Sequence, residues 1–73
     1  MAVYLSETLK ERVLTFPETS YGANTVTVTL STGAVFSGVK VAWGYEVVRV
    51  DGYAEIPFAG QDVVAVEDAS GLV

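Results

Sequence analysis

The sequence predicts a mainly β protein in which one N-terminal helix precedes a five-stranded, strongly bent antiparallel barrel. Three observations carry this. Leu5, Leu9 and Val13 lie four apart within residues 4–14, the only stretch with helical spacing. From Thr25 the period changes to two, with Val26, Val28 and Leu30 alternating with Thr25, Thr27 and Thr29, as in a half-buried strand. Thereafter short apolar runs are separated by turn residues as far as Val66. One helix followed by consecutive short strands implies a small barrel with the helix capping one end.

The helix is expected over 4–14. Ser6 can cap its N-terminus and Glu7 suits the first turn, while Lys10 and Arg12 suit the C-terminal end of the helix dipole. Two to three turns are unstable alone, so Leu5 and Leu9 must dock on the barrel. Residues 15–24 contain Pro17, Gly22 and Asn24 and read as a loop, anchored by Phe16 and Tyr21. Strands follow at about 25–31, 34–43, 46–50, 53–58 and 62–66. Ser31-Thr32-Gly33 turns the first pair, and Gly38 marks a sharp bend within the second strand. Asp51-Gly52 is the strongest hairpin signal. Ala54, Ile56 and Phe58 share one face of the fourth strand, and Pro57, which cannot donate to a ladder, belongs at an edge or a strand end. Ala59-Gly60-Gln61 turns into the last strand. Residues 68–73 carry no pattern and are expected to fray.

Composition bounds the function. Seventy-three residues make one domain, 1–73, small enough to need help in reaching stability. Cysteine and histidine are both absent, which removes disulfides, thiolate metal sites and the usual neutral-pH proton shuttle. No loop of spaced acids suits calcium, and no base is present to activate Ser or Thr. The expectation is therefore no enzyme activity, no metal and no cofactor. With 51% hydrophobic residues, oligomerisation is the remaining means of stabilisation. Four Lys and Arg against nine Asp and Glu leave a net charge of −5, which disfavours general binding to polyanions. No apolar run approaches the ~20 residues of a spanning helix. The start shows no basic segment followed by an apolar core. Neither membrane insertion nor secretion is expected, and the reading is cytoplasmic.

Val26, Val28, Leu30, Gly33 and Gly38, followed later by Phe58-Ala59-Gly60-Gln61-Asp62-Val63-Val64, resemble the two signature motifs of the Sm/LSm family, including its bacterial host-factor-like members. With the N-terminal helix, the resemblance spans nearly the whole chain. It implies an open barrel whose subunits pair the fourth strand of one with the fifth strand of the next, closing a homo-oligomeric ring of five to seven subunits. Ile56, Phe58, Val63, Val64 and Val66 would then lie at the subunit interface. Closing a ring also covers strand edges that would otherwise be exposed. The motif glycines are Gly33, Gly38 and Gly60.

The family's RNA pocket does not carry over. Its loop aspartate, stacking residue and asparagine fall at Gly44, Glu46 and Val48, and Ala59 stands in place of its arginine. Apolar side chains cannot replace paired hydrogen bonds to a base edge. If RNA is a partner, Lys40, Arg49, Trp43 and Tyr45 are the candidate contacts. Each has a plainer reading. Trp43 and Tyr45 flank Gly44 and either present stacking surfaces or fill and cover the barrel. Lys40 and Arg49, on neighbouring strands, either form a basic patch or pair with Glu46, Asp51 or Glu55 at the surface, where each pair is worth roughly 0–1 kcal/mol. A second class of function stays open, an SH3-like structural or protein-interaction domain of a small accessory or viral protein without a nucleic-acid role.

Overall fold

The computed structural model of the chain describes residues 3–17 and 22–69. Ser6 is the helix N-cap, with extended backbone (φ −66°, ψ 163°) and an Oγ that accepts the Leu9 N–H at 3.4 Å. It starts helix α1, Glu7–Val13. Leu5, Leu9 and Val13 are buried as their spacing predicts, Val13 completely. The helix does not reach back to residue 4. Val3–Tyr4 is instead a short strand, β1, and the Leu5 N–H continues its pairing by donating to the Tyr45 carbonyl at 2.8 Å.

The remaining strands are β2, Ala23–Leu30, β3, Val35–Ala42, β4, Glu46–Val50, and β5, Val63–Asp68, with a 3-10 turn at Gly60–Asp62 leading into β5. They form one antiparallel sheet in the order β1-β4-β3-β2-β5. The chain is thus one N-terminal helix with a five-stranded, strongly curved antiparallel sheet, a half-barrel.

Three irregularities curve the sheet. Between β2 and β3 the register slips from Val26↔Val39 to Val28↔Phe36, so that β3 carries an extra residue around Ser37-Gly38. Gly38 has φ +66° there, and a Cβ on it would lie 2.6 Å from the Asp51 carboxylate. The bend expected at Gly38 is therefore a bulge that only glycine accommodates without strain. A second slip, between β3 and β4, leaves Val48 as an extra residue between Val47 and Arg49. A third, between β2 and β5, does the same to Val64. Each bulge reverses the inside–outside parity along its strand. Val47 and Val50 both point into the core while Val48 is exposed, and Val63 and Val66 are buried while Val64 is exposed.

The core is built chiefly from valine. Val13, Val26, Val28, Val39, Val41, Val47, Val50 and Val66 are sealed from solvent. Branched side chains suit a pleated surface, and a tightly bent sheet encloses a space that such compact groups fill. Each fully buried valine contributes about 1.5–3 kcal/mol relative to exposure.

The strand expected over 53–58 does not form. The Asp51-Gly52 turn is present, with the Tyr53 N–H donating to the Val50 carbonyl at 3.1 Å. Beyond it the chain leaves the sheet, and β1 takes the place beside the first residues of β4, through Val3↔Val47 and Tyr4↔Glu46. Pro57 has no N–H to give to a ladder. Phe58 anchors the departing segment by packing its ring 5.3 Å from that of Phe36. The loop expected over 15–24 is also shorter, because β2 begins at Ala23. Buried Asn24 donates through Nδ2 to the carbonyls of Phe16 (3.3 Å) and Pro17 (3.1 Å). Phe16 packs on the core, whereas Tyr21 lies outside the described residues. Asp68 ends β5 in register with Val26 and the Ala69 N–H donates to the Thr25 carbonyl at 3.1 Å. The fraying expected of 70–73 lies outside the described residues.

Candidate interaction surfaces

The turn joining β3 to β4 is closed by the Tyr45 N–H donating to the Ala42 carbonyl at 3.2 Å. Trp43, at its tip, has φ +53°, and no other described residue except glycine has a positive φ. A bulky residue in the left-handed region is costly and marks a position held by its surroundings. The Trp43 N–H donates to the Gly22 carbonyl at 2.7 Å. The indole packs so closely on Gly22 that a Cβ there would come within 2.6 Å of it.

Trp43 is nonetheless 59% exposed and Tyr45 38%. The reading in which Trp43 fills the barrel therefore fails, because valines already fill the interior. Tyr45 stacks on Tyr4, with centroids 5.3 Å apart and planes at 17°. The Lys10 ammonium sits over the Tyr45 ring at 5.2 Å. Gly44 lies against Leu14, which is itself exposed. Tyr4, Lys10 and Tyr45 thus form one cluster where the helix meets the turn, with Leu14 against Gly44 beside it and exposed Trp43 next to it in the turn.

The sequence reading missed Tyr4 and Lys10 in this cluster. It placed Tyr4 in the helix and used Lys10 only as a dipole partner. The β-propensity of Val3-Tyr4 ahead of the Ser6 cap was the available signal.

Lys40 and Arg49 face each other directly across the β3–β4 ladder. Lys40 donates through Nζ to Thr25 Oγ1 at 2.9 Å. Among the described residues neither cation pairs with a carboxylate, so the pairing with Glu46, Asp51 or Glu55 does not occur. The structure therefore separates a basic pair, on the outer face of the sheet, from the aromatic cluster at its end.

Of the residues expected at a subunit interface, Phe58, Val63 and Val66 have their side chains in the core, Ile56 is half-buried against it, and Val64 is 57% exposed. The bulge at Val64 is the reason that its neighbours turn inward. Gly33 closes the β2–β3 turn by donating to the Leu30 carbonyl at 2.9 Å. Gly60 meets the backbone of Tyr4, where a Cβ would overlap the carbonyl oxygen.

One open groove of about 980 Å³ is lined by Val3, Tyr4, Val48 and residues 54–61. It lies between the outer edge of β4, where β1 pairs with Glu46 and Val47 among the described residues, and the departing segment. Among the described residues, Ala54–Phe58 make no backbone–backbone hydrogen bond. The outer side of β5 is different, because Arg12 Nε donates to the Val66 carbonyl at 2.9 Å and ties α1 there.

No group of three or more acidic residues is placed to hold a metal ion among the described residues. Among them, no helix is long and apolar enough to cross a membrane. No protein-family model, curated protein or solved structure matches the chain. The resemblance to Sm/LSm proteins accordingly reaches as far as a small, bent five-stranded antiparallel sheet with one helix, and an SH3-like barrel shares that description.

Proposed function

We propose that this chain is a non-catalytic assembly module, a small Sm-like barrel that self-associates by strand-edge pairing into a closed ring of five to seven subunits. The observation that carries this is the Ala54–Phe58 segment. It has the alternation of a strand, with Ile56 and Phe58 turned inward, yet lacks backbone pairing among the described residues and borders an open groove beside β4. Unpaired strand edges are liabilities unless covered, and head-to-tail pairing that closes on itself covers every one. RNA contact, if the ring makes any, would use Lys40, Arg49 and the Trp43/Tyr45 turn rather than the family's usual pocket. The setting is taken as cytoplasmic.

Native mass spectrometry with light scattering tests the reading. A discrete species of five to seven chains supports it, and a monomer across the micromolar range overturns it. An SH3-like interaction domain acting as monomer or dimer is the second reading, favoured by the exposed aromatic cluster around Tyr45. It predicts a monomer or dimer whose partner binding is lost on Trp43→Ala.

A further inference from the structure

Resting on the assembly reading above, we infer that Lys40 and Arg49 of one subunit receive Glu7 and Glu11 of a neighbouring copy of the same chain. Lys40 and Arg49 are a directly opposed cross-strand pair, so their Cβ atoms lie about 4.5–5.5 Å apart. Like charges directly opposite each other destabilise a sheet, and no described carboxylate relieves them. The bond to Thr25 Oγ1 holds the Lys40 ammonium in place on the sheet face.

Glu7 and Glu11 are the complement. Both are exposed on α1, whose Leu9 and Val13 face the core. They are one helical turn apart, about 5–6 Å between Cβ atoms, and a like-charge pair at that spacing is also destabilising. The helix's own cations do not neutralise them, because Lys10 is drawn over Tyr45 and Arg12 is bonded to the Val66 carbonyl. Among the described residues, two charges of each sign therefore stand unneutralised, at matching spacing, on two separate surfaces.

Among the described residues, the other acids do not offer such a pair. Glu67 and Asp68 are consecutive in β5 and so point to opposite faces. Asp51 is packed against Gly38, and Glu46, Glu55 and Asp62 are single. A contact from the sheet face of one copy to the helix face of the next is heterologous, as head-to-tail closure requires.

The test compares native mass for the wild type, K40E/R49E, E7K/E11K and the fourfold exchange variant carrying all four changes, each checked for folding by circular dichroism. Runs at about 50 mM and about 500 mM salt separate screened from unscreened contacts. Each double variant is expected to raise the concentration for half-assembly at least tenfold, roughly. High salt weakens the wild type, and the fourfold variant, again self-complementary, restores assembly. Double variants that assemble like a salt-insensitive wild type would overturn the charge pairing and leave the assembly reading intact. A fourfold variant that fails to recover also overturns it. A wild type that is monomeric throughout overturns both.

Discussion

Replacing Gly60 by alanine is expected to destabilise the fold by about 2–3 kcal/mol, at the upper end of the range for overpacking. The added Cβ would overlap the Tyr4 carbonyl oxygen and lie 2.8 Å from its carbonyl carbon and 3.2 Å from its nitrogen. These are backbone atoms, so no rotamer change makes room. The 3-10 turn must separate from β1, which pairs with β4 through Val3↔Val47 and Tyr4↔Glu46 and adjoins the buried Leu5.

Gly33→Ala is the control. Nothing lies within 4 Å of its Cβ position, but φ is +93°, so only backbone strain of roughly 1–2 kcal/mol is incurred. For a domain of this size, 1 kcal/mol corresponds to about 4–8 °C in Tm. Gly60→Ala should then lower Tm by roughly 10–20 °C, more than Gly33→Ala does. Thermal and urea unfolding followed by far-ultraviolet circular dichroism measures both. A Gly60→Ala variant no less stable than Gly33→Ala would refute the close approach of the 3-10 turn to β1.

Val39→Ala removes two methyl groups from a completely buried site and should cost about 2 kcal/mol in urea unfolding. Asn24→Ala leaves the carbonyls of Phe16 and Pro17 without their side-chain donor. A loss of about 1–3 kcal/mol is expected, together with faster hydrogen exchange at Phe16 than in the wild type. Tyr45→Ala loses the stack on Tyr4 and the ring beneath Lys10. It should cost about 1–2 kcal/mol by chemical denaturation.

The helix cap at Ser6, the burial of Leu5, Leu9 and Val13 and the β2 alternation could be read directly from the chain. Each depends on residues close in sequence, where periodicity and capping chemistry act. Gly38 was legible as a bend for the same reason, since a glycine within a strand run signals its local backbone. The fate of 53–58 was not. Its alternation of Ala54, Ile56 and Phe58 satisfies a strand pattern, but a strand exists only where a neighbour pairs with it. The same blindness put Tyr4 in the helix and hid the aromatic cluster, whose members come from β1, α1 and the β3–β4 turn.

By itself, then, the sequence determined a mainly β chain with one N-terminal helix and a strongly bent antiparallel sheet, without histidine or cysteine chemistry and with a negative net charge. Tertiary structure alone decided which segment fills the edge beside β4, and that Trp43 stays outside while valines fill the interior. It also decided that Val48 and Val64 face solvent, because a bulge moves every following side chain to the other face. Register is a relation between distant segments. So is the opposition of Lys40 and Arg49, two cations nine positions apart that only the β3–β4 pairing brings face to face.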